Sequence, residues 1–267
     1  MAVARLADPA LAAGWLEALW ERRSRRSYDG IALGAEALEA LAQHCETFRP
    51  FDTARVVLIP SAPQALFLGI LGSYGGVSNA PSALAFIGRA GEAGVDAAIG
   101  YTGEAAVLEA SRLGLATCWI GGLFDPAQGT RLAGARSGER LFAVSPLGHA
   151  VDRISMKERV VFGLGRPKRR KDVAEFAPGS DEWPTWARAA AAAVQVAPSA
   201  MHRQPWKLRL EEGALVIGCE GLKTPKVSRR LDCGIAMLHA ELGALGEGVE
   251  GDWELLDGDD VGRFAPR

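Results

Sequence analysis

The segment 96–116, DAAIGYTGEAAVLEASRLGLA, carries Ala, Gly or another apolar residue on every helical face. A helix of that composition has no solvent side, so the rest of the chain must be built around it. A second segment, RRLDCGIAMLHAELGALGE at 229–247, also reads as a helix. Asp96 leads Ile99 by three residues, and Asp232 leads Ile235 in the same way. The parallel extends upstream. Residues 36–59 and 186–210 both spell a helix, a proline-bearing corner and a strand. These matches predict an internal duplication. The fold class they imply is α+β, with central helices packed on mostly antiparallel sheets.

The remaining elements follow from local signals. Asp8-Pro9 and Asp125-Pro126 combine an N-cap with a first-turn proline and predict helix starts. A further helix is expected over 35–46. The apolar run PQALFLGILGS has helix length. Strands are expected at 54–60, PSALAFIG, TCWIGG, RLFAVSPLGHA, KLRL, ALVIGC and DWELL. A helix over EWPTWARAAAAAVQV opens the second part, and 148–182 reads as a long irregular connection. The organisation expected is a first half at 1–150, a connecting segment with a basic tail at 151–182, and a second, reduced half at 183–267.

Several functional classes are disfavoured. The net charge of −2 argues against a polyanion or nucleic-acid binder as a whole. Cys45, Cys118, Cys219 and Cys233 form no C-x-x-C pair and lie in apolar contexts, so they read as reduced core residues. The four histidines lack ligand spacing, so no metal site is expected. The N-terminus lacks a signal-peptide core, and the most apolar region is broken by Gly, Pro, Ser and Asn. A cytoplasmic protein with no membrane partner is the expectation.

Chemistry concentrates in a few places. In RRSRRSYDG, Arg22, Arg23, Ser24 and Arg26 lie at a helix end, where cations are favourable in any case. They could equally form an anion site, since the arginine fork suits phosphate. The run GRPKRRKD at 165–172 is either a solvated loop or a second anion contact. TCWIGG ends in two glycines, Gly121 and Gly122, that mark a simple turn or let a ligand approach the backbone. GLGRPK lacks the third glycine and the strand–turn–helix setting of a dinucleotide fingerprint. No P-loop or Ser-His-Asp signature is present. The corner APSAMHRQPW at 197–206 is more rigid than a linker needs to be. Two prolines frame Ser199, His202, Arg203 and Gln204.

These pieces together resemble the FMN-dependent nitroreductase family. APSAMHRQPW is similar to its A-P-S-x-x-N-x-Q-P-W stretch, and RRSRRSY to its opening R-R-S-x-R-x-[FY]. GEAAVLEASRLGLATCWIGG resembles its central helix and following strand, SPLGHA its strand end, and KRRKDVAEF its basic tail. The order differs, because A-P-S here follows the basic tail. That order resembles the nitroreductase subgroup in which one chain imitates the family dimer.

The resemblance implies a nitroreductase-like fold of two pseudo-symmetric halves, acting as a monomeric pseudo-dimer. It implies FMN as cofactor, NAD(P)H as co-substrate, and a nitroaromatic or quinone-like small-molecule electron acceptor. Arg22, Arg23, Ser24 and Arg26 would hold the flavin phosphate and pyrimidine edge, with Lys168 and Arg170 as further phosphate contacts. Pro198, Ser199, Ala200 and His202 would line the flavin, and Gly121 and Gly122 would offer backbone donors near N5. No side chain is expected to act as acid or base. His202 replaces the family's usual Asn, and Gly121 stands where many members have Glu. The rival reading is a non-catalytic flavin-binding or regulatory protein, and a third is a structural scaffold.

Overall fold

The computed structural model describes residues 3–4, 9–67, 76–151, 169–224 and 226–267. Lys168 and most of the run PQALFLGILGS lie outside the described residues. Of that run, Gln64–Phe67 forms a 3-10 turn. The chain opens with β1 (Val3–Ala4), α1 (Pro9–Glu21) and α2 (Ala35–Thr47). There follow β2 (Ala54–Ile59), β3 (Ser82–Arg89), α3 (Val95–Arg112), β4 (Ala116–Thr117), α4 (Pro126–Leu132) and β5 (Glu139–Gly148). After the connection come α5 (Val173–Phe176), α6 (Thr185–Gln195), β6 (Trp206–Glu211) and β7 (Ala214–Cys219). The chain closes with α7 (Arg229–Gly246), β8 (Gly251–Leu255) and β9 (Asp260–Pro266).

The halves repeat one pattern. The first sheet has the order β2-β3-β5-β4, and the second β1-β8-β9-β7-β6. Reading the second as β6-β7-β9-β8 matches it to the first strand by strand, with β1 added at the far edge. All strand pairs are antiparallel. In each half a helix follows the second strand and crosses to the core. β9 was not foreseen, yet the pattern needs it as the counterpart of β5. The expected strand TCWIGG is reduced to β4 plus a single bridge from Ile120 to Val144.

The two central helices are buried along all but their ends. In α3 every residue from Ala97 to Ala110 is buried, and in α7 every residue from Leu231 to Ala244. Glycine makes their crossing possible. A Cβ on Gly100 would sit 2.0 Å from the carbonyl oxygen of Leu231, and one on Gly234 would sit 2.0 Å from that of Ala97. Alanines let α6 pack on α7 as closely, since a Cβ on Gly243 would meet the Ala189 carbonyl oxygen at 2.5 Å. Alternation then assigns the sheet faces. Leu84 and Phe86 of β3 join the main core, while Ala83, Ala85 and Ile87 face a smaller cluster with Phe67 and Val144. Among the described residues, no helix is long and apolar enough to cross a membrane.

Candidate functional site

The chain leaves α1 and runs along the rim of the first sheet. Ser24 bridges to Thr117, Ser27 to Ser78 and Tyr28 to Ala150. These pairings fix the opening basic run against β4. Arg22 is buried, with Nε 3.9 Å from Glu104 Oε1 and Nη1 3.4 Å from Ser24 Oγ. Arg23 is exposed and folds back onto the carbonyls of Trp20 and Arg22. Arg25 bonds the Val151 carbonyl. Arg26 is half-buried, and its carbonyl accepts from Ser78 N–H.

Arg170 arrives from the segment that follows the first half. Its Nη1 donates to the carbonyls of Gln195 (2.7 Å) and Ala197 (3.1 Å). Burial first, and then the nearby Arg22 and Arg23, push its pKa below the ordinary value. Its Nε and Nη2 have no partner among the described residues. The fold thus brings together the two basic runs that the sequence holds nearly 150 residues apart. Arg22 and Arg23 lie close enough to Arg170 to lower its pKa, and Arg22 has the Glu104 carboxylate at 3.9 Å.

The corner 197–206 forms one wall of that region. Its backbone is strained: Met201, His202 and Gln204 have φ of 52°, 54° and 46°. Non-glycine residues rarely adopt such values, and residues before proline avoid the helical regions. Interlocking contacts hold it. Ser199 Oγ accepts from Gln204 N–H at 2.9 Å. Ala200 N–H donates to Asp232 Oδ1 at 3.1 Å, and Arg203 Nε reaches Asp232 Oδ2 at 2.6 Å. Burial pushes Asp232 up to about 6, with Arg203 and the Ala200 amide pulling against it. Gln204, itself buried, accepts from Lys171 N–H at 2.8 Å and so presents Arg170. Pro198, Ser199, Ala200 and His202 are half-buried, while Met201 is 77% exposed.

Gly121 and Gly122 lie elsewhere on the rim. They line a cleft of about 1070 Å³ with Arg140, Cys219, Lys223, Arg229 and Arg230. None of Arg22, Ser24, Arg170, Ser199 and Ala200 lines it. Two short segments join the cleft to the arginine cluster: Thr117–Gly122, and the start of α7 that bears Leu231 and Asp232. Over the glycines lie the side chains of Val227 and Lys226. A Cβ on Gly121 would meet Val227 at 2.6 Å, and one on Gly122 would meet Lys226 at 3.0 Å.

Sequence reasoning did not find the buried polar layer behind Arg22. Glu104 receives Trp119 Nε1 at 2.6 Å and lies 3.1 Å from His239 Nε2, whose Nδ1 faces the Ala193 carbonyl at 3.0 Å. Both ring nitrogens therefore face acceptors. Ionisable residues inside helices otherwise apolar on all faces were the available signal. Arg203 looked like a ligand donor in the sequence, but Asp232, Thr224 and the Val227 and Ser228 carbonyls take its guanidinium.

Residues 15–244 match the model of a family described as Putative TM nitroreductase. The chain belongs to that family. The crystal structure of a putative nitroreductase from Thermotoga maritima shares the fold, with TM-score 0.63 and 20% identity over 94% of this chain and 92% of that one. Matches also include a nitroreductase family protein from Clostridium novyi NT, at 18% identity and TM-score 0.42, over 52% of this chain and 86% of that one. A nitroreductase with bound FMN from Bacteroides fragilis is 19% identical with TM-score 0.41, over 52% of this chain and 89% of that one. No curated protein matches the chain.

Proposed function

We propose that this nitroreductase-family chain is an FMN-dependent oxidoreductase that uses NAD(P)H to reduce nitroaromatic or quinone-like acceptors. One observation carries the reading. Arg22, Arg23 and Arg170, nearly 150 positions apart in sequence, crowd one another, and Arg170 Nε and Nη2 have no partner among the described residues beside the A-P-S corner. Crowded guanidinium groups repel unless an anion lies among them, and a flavin phosphate supplies that charge with forked geometry. The residues present therefore fit the group.

Arg22, Arg23, Ser24, Arg26, Lys168 and Arg170 would hold the phosphate and pyrimidine edge. Pro198, Ser199, Ala200 and His202 would line the ring from the other half. FMN supplies two-electron chemistry between a nicotinamide and an acceptor. The protein's own work is orientation and electrostatics. Strain held in the corner by Ser199, Asp232 and Gln204 fixes one wall before any ligand arrives. Glu104, locked by Trp119 and His239, sets where the Arg22 guanidinium points.

Absorbance and fluorescence titration with FMN tests the site. Arg170→Ala should weaken binding by about 1.5–3 kcal/mol, roughly ten- to a hundredfold. Unchanged affinity would remove Arg170 from the site. A second reading, flavin binding without turnover, draws on Val227 and Lys226 lying over Gly121 and Gly122. Steady-state NAD(P)H oxidation with a nitro or quinone acceptor separates the two.

A further inference from the structure

Cys219 ends β7 on the wall of the large cleft and is half-exposed, unlike the other three cysteines, which are buried. It packs against the main core with part of its surface open to the cleft. Cys233 is the fifth residue of α7 and is fully buried. Cys233 Sγ lies 3.7 Å from the carbonyl oxygen of Gly218, the residue just before Cys219. Fixed cations stand close by. Arg229 is tied to the Gly221 carbonyl at 2.7 Å, and Arg230 to those of Gly258 (2.7 Å) and Asp260 (2.8 Å).

We infer that Cys219 and Cys233 form a thiol–disulfide site on the cleft wall, with Cys219 as the attacking sulfur, Cys233 as the resolving one, and a hydroperoxide as oxidant. The thiolate is the reactive form of cysteine, and cations with a thiol donor favour it. The neighbouring Cys233 thiol, with Arg229 and Arg230, brings Cys219 down to about 6 against the opposing effects of burial and Asp259. Cys45 is pushed up to about 12 by burial, which outweighs the opposing Arg49.

The steps balance. Cys219 sulfur attacks the peroxide; an S–O bond forms, the O–O bond breaks, and the leaving oxygen takes a proton to become water or an alcohol. Cys233 sulfur then attacks the Cys219 sulfenic acid, forming the S–S bond and releasing water. Two thiols lose two electrons and two hydrogens, and one peroxide is reduced. The bond would close the chain between 219 and 233 and hold both ends of the loop whose Val227 and Lys226 cover Gly121 and Gly122. Burial of Cys233 is no obstacle, because its Sγ already packs against the peptide that leads into Cys219.

Intact-mass and peptide analysis of the full chain tests this, using hydrogen peroxide as probe. One equivalent should remove two hydrogen atoms from the mass and join the peptides bearing Cys219 and Cys233, reversibly with a dithiol. Cys233→Ala should stop at a Cys219 sulfenic acid trapped by dimedone, and Cys219→Ser should show neither product. At pH 6, iodoacetamide should alkylate Cys219 about tenfold faster than free cysteine, its larger thiolate fraction outweighing its lower nucleophilicity. The inference is overturned if Cys219 passes to sulfinate while Cys233 stays free, if Cys45 or Cys118 reacts first, or if the mass does not change. Should Cys233→Ala not fold, the cross-linked peptide of the wild-type chain decides alone.

Discussion

His44 shows how far a single residue can depart from its sequence appearance. In the sequence it is one of four scattered histidines on a helix; in the fold its ring stacks on Phe48 (5.2 Å) and meets the edge of Trp15 (5.3 Å). Burial lowers its pKa from 6.5 to about 4, with Arg112 adding to the effect and Glu109 opposing it. The folded state thus binds this proton more weakly than the unfolded state. Stability from neutral His44 is complete above about pH 6.5 and is lost as pH falls toward 4. Taken over that window, the loss is on the order of 3 kcal/mol. His44→Phe should flatten that part of the pH–stability curve in urea titrations. An unchanged slope would show that other groups set it. The arginines at 22, 23 and 170 were legible because their side-chain chemistry does not depend on context. Glu104 and His239 were not, because their meaning comes from a contact across 135 positions.

At the scale of elements, composition was the reliable guide where it left no alternative. A helix with small residues on every face could only be buried, and α3 is. Short edge pieces were less legible. β4 keeps two residues of the expected strand because the chain turns away at Cys118, whose N–H bonds Ser145 Oγ at 3.1 Å instead of a strand carbonyl. β9 has glycine in its middle and a proline at its end, which weaken the strand signal, and its pairing with β7 and β8 supplies what propensity does not. The crossing of the central helices gives a test at this scale. Gly234→Ala raises intrinsic helix propensity by about 1 kcal/mol. It also drives a methyl into the Ala97 backbone, where no flexible side chain can yield. Overpacking should win, with a net loss of about 1–3 kcal/mol in urea denaturation. A stabilised variant would mean that the two helices separate freely, and that the close crossing does not hold the halves together.

For the whole molecule, the repeated pattern α–β–β–α–β–β raises the question of how many sites the pseudo-symmetry creates. Each half has a corner after its first helix. The corner after α6 holds Ser199, Ala200 and Gln204 and sits beside Arg170. The corner after α2 is Phe48–Phe51, and it is filled with its own rings. Phe48 stacks with Tyr101 at 6.4 Å, and Phe51 meets Tyr101 edge-on at 5.5 Å. The charges nearby are spent on one another: Glu109 accepts from Trp15 Nε1 and binds Arg112 in a bidentate pair. The N-terminal segment breaks the symmetry in the same sense. β1 joins the edge of the second sheet, α1 crosses over, and Ser24 joins the first sheet at β4. One chain therefore delivers its basic run to one half only. A two-fold dimer duplicates every contact, whereas this chain has one set of cations and one A-P-S corner. The prediction is one FMN per chain, bound by a monomer. Flavin titration against protein of known concentration, with sedimentation to fix the mass of the complex, measures both quantities. Two flavins per chain, or binding confined to a dimer, would show that the filled corner opens or that a second copy completes the site.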